Sequence, residues 1–177
     1  ETAVQISKNK ILNTITELNL NATIYSKVGD AFLLFKNFIE YFDICITNPP
    51  WSILKPQKIT AVGKTEEVLQ QYKINIETYT KIIAENLPKS QPKKKFGKWG
   101  TNLARAGVEV ALNLIKTTGI CGVVSPATLL NDQTSVDFRN WIFDKFKLNS
   151  VYYFPAEMKL FGTADISSII AIFTHGI

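Results

Sequence analysis

Asn48, Pro49, Pro50 and Trp51 bring two hydrogen-bond acceptors and a flat aromatic face into four consecutive residues. The Asn48 amide oxygen and the Pro49 carbonyl could hold the two hydrogens of one exocyclic amine. Such an amine, adenine's for example, is a poor nucleophile because its lone pair is delocalised into the ring. Two acceptors favour a pyramidal nitrogen and stabilise the positive charge that develops as the nitrogen takes up a new group. Prolines suit this role, since neither has an N–H to compete for nearby carbonyls and each holds φ at about −65°. Asn48 and Pro49 both precede a proline and are thereby pushed to extended conformations. Trp51 offers a face on which an extruded base could stack, worth about 1–3 kcal/mol. Positioning and charge stabilisation can carry a direct group transfer without a general acid or base. The plainer alternative is a turn that ends a strand and is followed by a packed tryptophan.

Few other residues invite chemistry. Asp30 follows Gly29 and lies 18 residues before Asn48; it is either an acceptor for a ligand or a turn residue satisfying local backbone donors. Lys89, Lys93, Lys94, Lys95 and Lys98, interleaved with Phe96 and Trp99, form the one dense basic cluster. It suits either phosphate contacts or a solvated loop. Cys45 and Cys121 sit inside apolar runs and read as small buried hydrophobes. A single histidine, His175, has no partners for a metal site, so none is expected.

The elements that must position these residues follow from periodicity. Residues 2–18 carry Val4, Ile11, Leu12, Ile15 and Leu18 at helical spacing. Residues 22–28 alternate as a strand that ends at Gly29-Asp30, and 31–39 form a linker with room for a helical turn. Residues 41–47 form a buried strand that Asn48-Pro49-Pro50 stops. A helix spans 64–86, where Val68, Leu69, Tyr72, Ile76, Tyr79, Ile82 and Ile83 share a stripe, and Pro88 follows its end. Residues 89–100 form a basic loop. A helix over 101–118, a strand over 120–125, a helix over 136–146 and strands over 150–154 and 167–173 complete the chain. Strands alternating with helices predict an α/β fold, a mostly parallel sheet with helices on both faces. Ligands bind such sheets beyond the carboxyl ends of the strands, where both Asp30 and Asn48 are expected.

Composition fits this reading. The chain has 177 residues, 46% hydrophobic and 20% charged, enough for one domain with a real core. A net charge of +5 points weakly to a polyanionic partner. No apolar stretch reaches the roughly 20 residues of a membrane span and no signal peptide is visible; a cytoplasmic protein is the simplest expectation.

The segments Gly29-Asp30-Ala31 and Phe42-Asp43-Ile44-Cys45-Ile46-Thr47-Asn48-Pro49-Pro50-Trp51 resemble two motifs of amino-methyltransferases, most closely the adenine-specific DNA methylases of restriction-modification systems. Residues 107–130, Phe138-Arg139-Asn140-Trp141 and residues 160–166 are similar to later segments of that family, so the likeness covers nearly the whole chain. It implies a Rossmann-like methyltransferase fold that transfers a methyl group from S-adenosylmethionine to the N6 amine of a flipped-out adenine in double-stranded DNA. By the same resemblance, Asp30 accepts from the cofactor's adenine amine and the Ala31 backbone lies beside that ring. Asn48 and Pro49 hold the target amine, Pro50 stiffens the turn, and Trp51 and Phe161 sandwich the base. For Phe161 a packed or edge aromatic is the competing role. Lys93, Lys94, Lys95 and Lys98 would meet phosphates.

One departure matters: no Gly-x-Gly occurs in the chain, whereas the family cradles the methionine end of the cofactor with a glycine-rich turn. The expectation is therefore a partial catalytic domain over residues 1–177, with residues 64–100 as a helical and basic insertion. Its N-terminal part would be missing and supplied by upstream or separate polypeptide, and the fragment alone would be inactive. Two alternatives stay open: an RNA or protein amino- or amide-methyltransferase with the same turn, and a non-catalytic interaction module of the same fold.

Overall fold

The computed structural model describes residues 3–55, 65–92, 100–161 and 165–176, which belong to two compact units, Glu1–Ala31 and Phe32–Ile177. The first unit holds helix α1, Ala3–Glu17. Val4 and Ile15 on its stripe are half-buried, whereas Ile11, Leu12 and Leu18 are exposed. Residues 22–28 do not form the expected strand. Alternation makes a strand only where a neighbour completes the backbone ladder, and this segment pairs with none among the described residues. Tyr25 stands 92% exposed in it. Gly29-Asp30 therefore closes no strand; it precedes the short helix α2, Ala31–Leu34.

In the second unit a 3-10 turn, Phe35–Phe38, leads into β1, Phe42–Thr47. Beyond the Asn48–Trp51 turn come β2 (Ile53–Leu54), α3 (Glu66–Asn86), β3 (Thr101–Asn102) and α4 (Leu103–Leu114). Then follow β4 (Ile115–Pro126), α5 (Thr128–Asn131), α6 (Val136–Lys145), β5 (Phe146–Phe154) and β6 (Ser168–His175). Helix α4 stops four residues earlier than periodicity suggests and β4 starts correspondingly sooner. Ile115, Thr117 and Thr118 are β-branched and favour extended backbone, and Ile115 is fully buried as it pairs with Phe42.

The main sheet runs β1-β4-β6-β5. Only β1 and β4 are parallel; β6 is antiparallel to both β4 and β5. The expected mostly parallel sheet is thus a mixed one. A parallel return from β5 to β6 needs a crossover helix, and residues 155–167 provide only the 3-10 turn Ala156–Met158 among those described.

Helices α4 and α6 cover one sheet face. Val108, Ala111, Leu112, Phe138 and Ile142 pack there with Cys121, Val123, Ile169, Ala171 and Phe173. The opposite face leaves Ile44 63% and Ile46 81% exposed, with Ile120 and Tyr152 also at the surface. Among the described residues of the second unit, helices therefore cover one face of the sheet and not both. The reason is that α3 packs elsewhere. Its Ile83, with Leu87, joins Phe32, Phe35, Leu103, Ala106 and Val110 on the far side of α4. Residues Leu103 to Leu112 are consequently all buried, with α4 held between two apolar clusters. Cys45 and Cys121 are register partners across β1 and β4. Their shared hydrogen bond lowers the Cys45 thiol pKa and, with burial, raises that of Cys121.

Candidate active site at the carboxyl end of β1

Helix α4 holds the acceptor turn from three points. At its C-terminus the Asn113 and Leu114 carbonyls, which have no partner within the helix, accept from the Glu40 and Tyr41 N–H groups at 2.9 and 3.0 Å. This fixes the start of β1. At its N-terminus the Leu103 N–H donates to the Ser52 carbonyl at 3.0 Å, just past Trp51. Ile53 and Leu54 then pair with Asn102 and Thr101, and the Asn102 side chain caps α4 by accepting from the Arg105 N–H at 3.1 Å. In the middle, Pro49 lies directly on Gly107: a Cβ at that glycine would overlap the Pro49 Cβ and come within 3.2 Å of its Cγ. The lengths match, about 18 Å for a 12-residue helix and about 20 Å for a six-residue strand.

Within this frame Asn48 is exposed, Pro49 buried, Pro50 exposed and Trp51 half-buried. The Asn48 side chain has no hydrogen-bond partner among the described residues. The turn sits where β1 ends, beside the end of its parallel neighbour β4 at Pro126. Phe161 meets Trp51 edge to face, with ring centroids 4.6 Å apart and planes at 71°. The structure thus brings together two aromatic residues 110 positions apart in sequence. Stacking a base between two rings takes two contacts of about 3.5 Å each, or about 7 Å in all, so none fits between them in this arrangement. Phe161 arrives by a tight turn in which the Met158 and Lys159 N–H groups donate to the Pro155 and Ala156 carbonyls. Lys159 there adopts the left-handed region at φ 45°. Phe161 is 41% exposed, and the Trp51 indole Nε1 is buried without a partner among the described residues.

Asp30 and Ala31 belong to the first unit. Asp30 is half-buried immediately before α2, and Ala31 is exposed. Lys93, Lys94, Lys95 and Lys98 lie outside the described residues. The chain that leads to them is anchored by Glu109 of α4, a buried carboxylate that accepts from the Ser90 N–H at 2.6 Å and the Lys89 N–H at 3.2 Å. Burial pushes the Glu109 pKa up, opposed by these hydrogen bonds and by Lys89.

Sequence reasoning passed over Gly107, Glu109 and Arg105. A glycine inside a helical pattern is a signal in itself, because it weakens the helix unless something needs the space. A charged residue on a helix whose neighbours are apolar is another. Arg105 is 7% exposed and ties α4 to the chain before α6. Its guanidinium donates to the Thr134 carbonyl at 2.9 Å and the Thr134 hydroxyl at 2.8 Å. Burial lowers its pKa, while Asp132 raises it.

Among the described residues no helix is long and apolar enough to cross a membrane. No curated protein matches the chain. The family model for the Eco57I restriction-modification methylase matches residues 1–161 of the 177. That span takes in the acceptor turn, the helix that frames it and Phe161. A methylase of restriction-modification systems acts on DNA, and the match lends no support to a separate partner polypeptide. By this match over most of its length, the chain belongs to the Eco57I restriction-modification methylase family.

Proposed function

We propose that this chain carries the amine-holding half of an adenine-specific DNA methyltransferase, which methylates N6 of an adenine extruded from the duplex. The observation that carries the reading is Asn48: an exposed amide without a hydrogen-bond partner among the described residues, held at the carboxyl end of β1. In this reading the Asn48 oxygen and the Pro49 carbonyl accept the two amine hydrogens. They stabilise the positive charge on N6 as it bonds to carbon. Because Asn48 is exposed, the proton that N6 must then lose passes to water. An amide is no base, and none is required for that step.

S-adenosylmethionine, when bound, supplies an electrophilic methyl group on a sulfonium sulfur. Asp30 and Ala31 are assigned to its purine end: a half-buried carboxylate can accept from the exocyclic amine, and the Ala31 backbone would lie beside the same ring. The base would lie against Trp51 after displacing the Phe161 edge, and Phe161 would then close over it. Stacking on exposed aromatic surface is worth about 1–3 kcal/mol per base and offsets the unstacking that extrusion costs. Lys93, Lys94, Lys95 and Lys98 are assigned to phosphates.

The test uses the full-length protein, S-adenosylmethionine carrying a labelled methyl group, and long unmodified DNA of mixed sequence. Nucleoside analysis of the product should yield N6-methyladenine. Asn48→Ala should lower kcat by about 10²–10³-fold, the loss typical of removing one group that stabilises developing charge. Label appearing on cytosine, or on RNA or protein in place of DNA, would refute the assignment.

A further inference from the structure

We infer that Gly107 is a positioning residue for methyl transfer: the absence of a side chain there sets the height at which the Asn48-Pro49 acceptors stand over α4. The inference rests on the reading that these two residues hold the target amine. Pro49 is buried directly on Gly107, and a Cβ at that position would overlap the Pro49 Cβ.

Three features decide which partner must yield. Helix α4 cannot retreat, because Leu103 to Leu112 are buried between two apolar clusters. The proline cannot rotate away, because its ring ties Cβ to the backbone. Asn48 and Pro50 on either side of it are exposed, so the turn is the part free to rise. Any displacement of the Pro49 ring is therefore passed to the Pro49 carbonyl and to Asn48. Relieving the overlap to the 3.4 Å of ordinary contact takes a shift of about 1 Å, an offset that costs on the order of 10²-fold in a positioned reaction. The ends of the segment stay pinned through Tyr41 and Ser52, so the disturbance is confined to the turn.

The test is Gly107→Ala in the full-length protein, assayed with labelled S-adenosylmethionine on long unmodified DNA of mixed sequence. Expected are a kcat lowered about 100-fold, KM values for DNA and S-adenosylmethionine within about threefold of wild type, and a thermal midpoint lowered only modestly, because the overlap with Pro49 is partly offset by alanine's better helix propensity. An unchanged kcat overturns the inference. So does a loss carried by KM, which would make Gly107 a residue of binding, or a variant unfolded at the assay temperature, which would make it one of general packing. Asn48→Ala in the same assay separates the two layers. If it remains active, the acceptor-turn reading fails; if it is inactive while Gly107→Ala turns over normally, only the role of Gly107 fails.

Discussion

At the scale of single residues, the chemistry assigned to this chain asks little of acid–base groups and much of geometry. Asn48 contributes an oxygen, Pro49 a carbonyl and a rigid ring, and Pro50 extended backbone before it. Trp51 and Phe161 contribute apolar surface, and their edge-to-face contact at 4.6 Å keeps the indole covered. Phe161→Ala tests that pair. Phe161 is 41% exposed, so its removal should leave the thermal midpoint nearly unchanged. Binding of duplex DNA that contains the target site should weaken by roughly 5- to 100-fold, the equivalent of one base stack removed. A titration of labelled DNA reads this directly; undiminished affinity with a lowered midpoint would reduce Phe161 to a packing residue.

At the scale of elements, α4 is the organiser. It presents Val108, Ala111 and Leu112 to the sheet and Leu103, Ala106 and Val110 to α3 and α2. Its ends bind the chain on both sides of β1 and the turn. It also buries Glu109, whose carboxylate holds Lys89 and Ser90. Burial raises this pKa above the ordinary value of 4.5, so the folded state binds the proton more tightly than the unfolded chain does. Stability contributed by protonation is then complete below the unfolded value and is lost as pH rises through the raised one. Glu109→Gln cannot ionise. Melting wild type and this variant in parallel from acidic to neutral pH should shift the difference in midpoint toward the variant as pH rises. A difference independent of pH would mean that Glu109 does not titrate in that window.

At the scale of the whole molecule, charge and architecture point to the same partner. The net charge of +5 is modest, but four lysines fall within residues 93–98, in the connection that begins at the Glu109 anchor. If each meets a phosphate, replacing Lys93, Lys94, Lys95 and Lys98 by Gln reduces the slope of log affinity against log salt by about 0.9 for each phosphate no longer neutralised. Affinities measured at several salt concentrations check this, and an unaltered slope would leave the lysines as a solvated loop. The sheet matters at this scale too. Within the described residues of the second unit, no helix covers the sheet face bearing Ile44 and Ile46, because α3 packs against α4.

Local pattern was enough to place α1, β1, α3, α6 and the turn that ends β1, because each rests on short-range rules: helical spacing, an apolar run, and prolines that remove donors. The place of Asn48 at the end of β1 was legible for the same reason, since the strand and the prolines that set it adjoin it in sequence. That β1 is exposed to half-buried, and not the buried strand its apolar run suggests, depends on what covers the sheet. Residues 22–28 and the sense of β6 were not legible. A strand exists only with a partner, and whether two strands run parallel depends on what the connection between them can span. Nor did residue order reveal that Pro49 rests on Gly107, that Trp51 meets Phe161, or that Glu109 anchors Ser90. Those pairs join residues separated by 58, 110 and 19 positions, and only the packing of α4 between two apolar layers decides them.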